Sequence, residues 1–349
     1  MNAALKLGET AVATAGLAMR AVVYREYGTP EVLSVEEVPR PFPGDEEVLV
    51  RVHAAAASIA DHHVVTGKPY LIRLTAYGGV PRPKNPVPGQ AVAGRVEAVG
   101  AKVTAFKAGD EVFGEATRGA FAEYAVVKAK LLALKPVNAS FEEAAAMPWA
   151  TAALQGLRDA GSLKSGERVL IHGASGGVGT WAVQIAKALG AHVTAVCSTR
   201  NVALVRSLGA DEVIDYTQAD FTAGGAQFDV MLDLVGDRSL SACRGVLNVG
   251  GRYVACAGGG GDWAGPIFRL IGGLVSFMFS GRAFKTFLSI CRPEDLLALK
   301  ALVEAGKARP VIERSFALGE TGAALTHLGQ GRTRGQVVIQ IRNENGSAR

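Results

Sequence analysis

One stretch, Arg168-Val169-Leu170-Ile171-His172-Gly173-Ala174-Ser175-Gly176-Gly177-Val178-Gly179-Thr180, restricts the folds open to this chain more than any other. The apolar run over 169–171 predicts a buried β-strand, and Val178, Ala182, Ile185, Ala186 and Leu189 then recur at helical spacing up to a stop at Gly190. Between the two, Ala174-x-Gly176-x-x-Gly179 matches Gly-x-Gly-x-x-Gly except at its first position, where alanine keeps the turn tight and Gly173 precedes it. The later glycines have separate tasks. Gly176 lets the backbone approach a pyrophosphate, Gly179 lets helix and strand pack, and the helix N-terminus offers unpaired N–H groups to the anion. A second strand predicted over 192–197 supplies the context that this motif requires. We therefore read Gly173, Ala174, Ser175, Gly176, Gly177, Val178 and Gly179 as a dinucleotide cradle, with a ligand-free glycine turn as the plainer alternative.

With 349 residues the chain exceeds the size of a single growing core, so two domains are expected. The formal net charge is +5, but basic residues are scattered among acids with no run of five like charges. Solubility and an anionic cofactor account for the excess, and no nucleic-acid partner is expected. The four cysteines, Cys197, Cys243, Cys256 and Cys291, are far apart and read as reduced core residues of a cytoplasmic protein. No segment reaches the roughly 20 apolar residues of a membrane span. Residues 1–18 lack the pattern of a secretory or transit leader and read as a disordered extension before a strand that begins near Met19.

From there to about residue 140 the chain is β-rich, with short strands predicted over 21–24, 47–53, 92–99, 111–113 and 122–127. Segment 67–88, rich in proline and basic residues, is long for a connection. Helices are predicted over 144–147 and 151–160. Beyond the glycine turn, helices over 201–208 and 239–247 alternate with strands over 212–216, 228–235 and 252–257, the succession of a parallel sheet covered on both faces. A helix over 293–306 follows. Strand-like text over 310–316 and 336–341 implies that the chain returns to complete its first domain, and polar residues 343–349 are expected to fray.

Four segments carry a family resemblance: Arg82-Pro83-Lys84-Asn85-Pro86-Val87-Pro88-Gly89, the glycine turn over 172–179, Leu208-Gly209-Ala210-Asp211-Glu212-Val213-Ile214-Asp215-Tyr216 and Gly335-Gln336-Val337-Val338-Ile339. In this order they resemble the zinc-free quinone oxidoreductase branch of the medium-chain dehydrogenase/reductase superfamily, from Met19 to Ile341. The resemblance implies an α/β chain in which a GroES-like, β-rich catalytic domain (19–142, completed by 308–349) is interrupted by a Rossmann domain (143–307) with a doubly wound parallel sheet that binds NADP. The active site would lie in the cleft between them.

Where zinc-dependent relatives carry Gly-His-Glu, this chain has Gly89-Gln90-Ala91, and Ser58 lies near the position of their cysteine ligand. A hydroxyl is a poor ligand for zinc, so no metal site is expected. Within the branch, Ser58 stands where asparagine is usual, and Leu234 where many members have asparagine.

Ser198-Thr199-Arg200 follows the second strand of the nucleotide unit, where an NAD site would place an acid. A hydroxyl and a guanidinium suit the 2′-phosphate of NADPH instead, with a helix cap and a solvated arginine as the alternative. Ser198, Arg200 and, by resemblance, Tyr216 join the cofactor set. Ser58 and Asp61 read first as a helix capping box. By resemblance their loop faces the nicotinamide, which makes Ser58, Asp61 and the phenol of Tyr70 the candidate catalytic groups. His62 and His63 read as surface residues or as a general acid, and Trp149 as a pocket wall or core. The apolar stretch 267–280 is too short to span a bilayer. It suits interface burial, substrate lining or peripheral contact with a membrane surface.

The expected activity is NADPH-dependent, zinc-independent transfer of hydride to a quinone or to the C=C bond of an α,β-unsaturated carbonyl by a cytoplasmic homodimer. The alternative is a non-catalytic NADPH-binding or membrane-associated adaptor of the same fold.

Overall fold

The computed structural model describes residues 18–75, 78–116, 119–256 and 265–342. The predicted extension over 1–17 and the terminal residues 343–349 lie outside them. The first strand starts one residue before Met19, in a two-stranded antiparallel ribbon of β1 (Ala18–Val23) and β2 (Ser34–Pro39).

Two sheets divide the rest. The first is built around β3 (Glu47–Ala57), which is buried along most of its length because it has neighbours on both edges. With β4 (Ala91–Val99), β5 (Glu111–Glu115), β6 (Tyr124–Lys128), β7 (Leu132–Leu134), β14 (Ile312–Ala317) and β15 (Gln336–Gln340), it forms a seven-stranded sheet in the order β14-β15-β3-β4-β5-β7, with β6 also paired to β3. The chain therefore does return: β15 lies antiparallel to β3 with Val337 opposite Ala57. Its core holds Val48, Val50, Val52, Val92, Phe121, Val337 and Ile339.

The second sheet contains β8 (Arg168–His172), β9 (His192–Cys197), β10 (Glu212–Asp215), β11 (Phe228–Asp233), β12 (Leu247–Ala255) and β13 (Ala283–Thr286), all parallel, in the order β10-β9-β8-β11-β12-β13. Chain order runs outward from β8 to β10, then restarts at β11 on the other side of β8. This doubly wound sheet places its topological switch point, and hence its ligand crevice, at the carboxyl ends of β8 and β11. Because helices cover both faces, its strands are apolar runs such as Val169-Leu170-Ile171, all fully buried.

Nine helices are described: α1 (Ile59–Thr66), α2 (Phe141–Ala146), α3 (Ala150–Leu154), α4 (Gly177–Ala188), α5 (Val202–Ser207), α6 (Leu240–Gly245), α7 (Gly265–Phe277), α8 (Pro293–Glu304) and α9 (Thr321–Gly329). The helix expected over 151–160 changes to π-helical geometry at Gln155–Ala160. β2, β7, β13, α7 and α9 have no counterpart among the predicted elements. β2 reads as loop because Ser34-Val35-Glu36-Glu37-Val38-Pro39 is polar and half-exposed on a two-stranded ribbon. In α9, Gly322 and Gly329 lower the local helix preference. Packing explains one of them, since a Cβ on Gly329 would lie 2.5 Å from the His62 ring of α1.

Candidate functional site

At the switch point β8 ends at His172, and α4 starts at Gly177 with Gly176 as its N-cap. Gly173 has φ +86°, and a Cβ there would approach Val235 Cγ2 to 2.8 Å. A Cβ on Gly179 would lie 2.1 Å from the Gly173 carbonyl oxygen, so close packing of helix on strand requires glycine. At Gly176 the nearest atom to such a Cβ is 3.7 Å away. Here glycine keeps space clear above the helix N-terminus, whose first-turn amides would face a bound anion. The cradle thus fits a pyrophosphate.

The returning chain closes one side of this turn. Gly335 donates its N–H to the Ser175 carbonyl (2.9 Å), and Gln336 Nε2 donates to the Gly177 carbonyl (3.1 Å). Because Val337 is paired with Ala57, and Ala56 with Ala91, the end of β3 brings Ser58, Gln90 and Gln336 to the same edge of the glycine turn. Trp149 belongs to this framework: its indole N–H donates to the Ala56 carbonyl at 3.1 Å.

At the end of β9, Ser198 and Ser175 are joined by Asn201, whose Nδ2 donates to Ser175 Oγ (2.8 Å) and Ser198 Oγ (3.2 Å). Asn201 is buried and its Oδ1 has no hydrogen-bond partner among the described residues, which leaves an acceptor beside the cradle. The sequence reading missed this residue, although it lies three positions after Ser198, within reach of one helical turn. Arg200 is exposed and donates through Nη2 to the Arg332 carbonyl, so a loop of the returning chain lies against it. Thr199 Oγ1 donates to Asp215 Oδ2 at 2.5 Å, and Thr217 supplies its N–H and hydroxyl to Oδ1. Asp215 is thus occupied by threonine donors. Tyr216 is half-exposed and donates its N–H to the Cys197 carbonyl, which holds it beside Ser198.

Ser58 caps α1. Its Oγ accepts from the Ala60 N–H (3.1 Å) and donates to Asp61 Oδ2 (3.0 Å), which also accepts the Ser58 N–H (2.8 Å). Asp61 is 1% exposed, and burial raises its pKa to about 7. Asp61 is therefore hidden from solvent, with Ser58 as its side-chain partner. Tyr70 begins a 3₁₀ turn, Tyr70–Leu74, and its ring is stacked under the Arg73 guanidinium at 4.8 Å. The two histidines are half-buried, not surface residues as one reading expected. His62 Nδ1 lies 3.0 Å from the Leu325 carbonyl of α9, which assigns it to packing, and burial lowers the pKa of His63.

The donor set does not fit zinc: Ser58 offers a hydroxyl committed to the cap, and Gln90 a neutral amide. Among the described residues no group of three or more His, Cys, Asp and Glu side chains could hold a metal ion. No helix among them is long and apolar enough to cross a membrane.

Residues 44–137 match the family model described as an alcohol dehydrogenase GroES-like domain, and residues 208–339 match the one described as a zinc-binding dehydrogenase. The chain is 35% identical over 336 residues to a 2-methylene-furan-3-one reductase of Solanum lycopersicum, covering 92% of this chain and 79% of that one. It is 32% identical over 355 residues to a chloroplastic NADPH-dependent alkenal/one oxidoreductase of Arabidopsis thaliana, covering 97% and 83%. The solved quinone oxidoreductase of Coxiella burnetii matches with a TM-score of 0.81 at 30% identity, over 93% of this chain and 100% of that one. Identity at this level over nearly the whole length establishes that the chain belongs to the zinc-free quinone oxidoreductase branch of the medium-chain dehydrogenase/reductase superfamily and is an oxidoreductase.

Proposed function

We propose that the chain reduces a quinone or the C=C bond of an α,β-unsaturated carbonyl with NADPH and without zinc. The observation that carries this reading is the meeting of an open glycine cradle with a β3 edge where Ser58 and Gln90 stand at or near the positions of the metal ligands of zinc-dependent relatives. NADPH supplies the hydride. Gly173 to Gly179 hold its pyrophosphate, Asn201 sits beside them, and Arg200 with Ser198 and Tyr216 takes the 2′-phosphate. Reduction of a saturated ketone needs the carbonyl oxygen stabilised as it gains full charge, a task for a Lewis acid. An enone spreads that charge over an enolate, which a few hydrogen-bond donors can hold. Ser58 and Tyr70 are the donors we assign, with Asp61 acting through Ser58.

As part of the same proposal, 19–142 and 308–349 form the catalytic domain and 143–307 the nucleotide domain. Two copies associate along the edge strand β13, which has a neighbour on one side only among the described strands. Four free cysteines, three of them buried, suit the reducing cytoplasm. Light scattering at micromolar concentration is expected to show a dimer, and cell fractionation a soluble protein.

Deuteride from labelled NADPH is expected at the β-carbon of a small enone. Label at the carbonyl carbon, giving an allylic alcohol, would sink the assignment. Arg200→Asp is expected to weaken NADPH binding while leaving NADH binding unchanged or improved. Equal affinity of the wild type for both nucleotides would remove the NADPH part of the proposal.

A further inference from the structure

The carboxylate of Asp233, 1% exposed, lies at the end of β11 where the strand order reverses. Its Oδ1 accepts from His172 Nδ1 (3.0 Å), the Val235 N–H (3.1 Å) and the Gly236 N–H (2.9 Å). Its Oδ2 accepts from the Tyr253 hydroxyl (2.5 Å) and Arg269 Nη2 (3.1 Å), and the same Arg269 nitrogen donates to the Tyr253 oxygen at 2.6 Å. Burial alone would push this carboxyl up, but the hydrogen bonds from His172 and Tyr253 outweigh it and hold the group well below the usual carboxylate range. An ionised carboxylate only accepts, so His172 carries its proton on Nδ1. Its Nε2 faces Asp237 Oδ1 at 3.5 Å.

One side chain thus joins the ends of β8, β11 and β12 to α7. Two of its partners bear directly on the glycine turn. His172 is the residue before Gly173, and Val235, held through its N–H, stands where a Cβ on Gly173 would come within 2.8 Å. Buried ion pairs contribute little net stability compared with apolar packing, so stability alone gives no reason for this arrangement.

We propose that Asp233 is a positioning residue for the nicotinamide cofactor, fixing the glycine turn through His172 and through the Val235-Gly236 loop, with Tyr253 and Arg269 holding it in place. This rests on the reading of 173–179 as the cofactor cradle. Supporting partners of this kind behind metal ligands are worth about ten- to a hundredfold in affinity, and a similar scale is expected here.

The test is fluorescence titration of the full-length protein with NADPH, alongside KM for a small enone and the thermal midpoint. Tyr253→Phe removes one hydroxyl and keeps the ring, His172→Leu removes the Nδ1 donor, and His172→Asn restores a donor at a similar place. Tyr253→Phe and His172→Leu are expected to raise the NADPH Kd about tenfold with enone KM changed less than about twofold, and His172→Asn to recover most of the loss. NADPH affinity within about twofold of wild type in Tyr253→Phe, with only the thermal midpoint lowered, overturns the proposal, and this variant decides alone if His172→Leu fails to fold. A wild type that binds neither NADPH nor NADH would instead defeat the cradle reading itself, and with it this inference; one that binds NADH alone is titrated with NADH.

Discussion

Two buried aspartates, one beside each sheet, are equally hidden from solvent yet shift in opposite directions. Asp233 is surrounded by an imidazole, a phenol, a guanidinium and two backbone amides, and stays ionised. For Asp61 desolvation outweighs the N–H and hydroxyl of Ser58 and its own backbone N–H, the negative Glu115 adds to it, and its pKa rises to about 7. Burial sets the penalty on charge, and the local donors decide whether it is met. The parallel sheet therefore has a fixed charge beside it, while the other sheet has a group that changes charge near neutral pH.

The largest expected effect tests the fixed charge. Asp233→Ala strands a buried guanidinium and several donors, and breaking such a network costs about 3–5 kcal/mol. Urea unfolding at pH 7 would show it. A loss below about 1 kcal/mol would mean that the donors find other partners and that the contrast with Asp61 is overstated. At pH 8, by comparison, Asp61→Asn is expected to unfold no earlier than wild type, because it removes a carboxylate that is costly to ionise where it is.

A pH series sharpens the contrast further. Asp61 has a raised folded pKa, so its contribution is fully present below the unfolded value near 4 and is lost as pH rises to about 7. His53 opposes it. This imidazole is 4% exposed, stacked on Phe141 at 4.2 Å, without a hydrogen-bond partner at either nitrogen among the described residues, and burial lowers its pKa to about 4. Protons bind the unfolded chain more readily there, so stability rises with pH between about 4 and 6.5. The two slopes oppose each other over that window in the wild type. Asp61→Asn is expected to leave a rising slope of up to about 1.4 kcal/mol per pH unit, and His53→Leu a falling one. Parallel curves for the two variants would show that neither group titrates as assigned.

The same contrast explains what was legible in the sequence. The glycine turn could be read because backbone geometry imposes it: Gly173 needs its positive φ, and Gly179 leaves no room for a Cβ. Those demands fall within seven residues of one another in the chain. The capping box of Ser58 and Asp61 was legible for the same reason, since its partners are three residues apart. The Asp233 cluster was not, because residues 172, 233, 253 and 269 meet only after three strands and a helix are in place. Gln336 escaped likewise, since its bond to Gly177 spans the two sheets. Nor did sequence spacing show that His62 would pack against α9, a helix hidden by its own glycines.

The smallest effect concerns Ser58, where the cap and the proposed chemistry compete for one hydroxyl. While Asp61 is ionised it accepts that hydroxyl proton at 3.0 Å, and once protonated it no longer needs the bond. Donation from Ser58 to a developing enolate is therefore easiest below the Asp61 pKa of about 7. Wild-type kcat/KM for an enone is expected to decline above that pH, with Asp61→Asn and Ser58→Ala giving profiles that are flat through it. Ser58→Ala should also cost about 1 kcal/mol of stability as a lost cap. Its kcat/KM is expected to fall about tenfold, roughly 1.4 kcal/mol, with most of the loss in kcat because the oxygen gains charge only in the transition state. A smaller loss, with the wild-type decline above neutral pH intact, would leave Ser58 its cap alone and move the substrate contact to another donor.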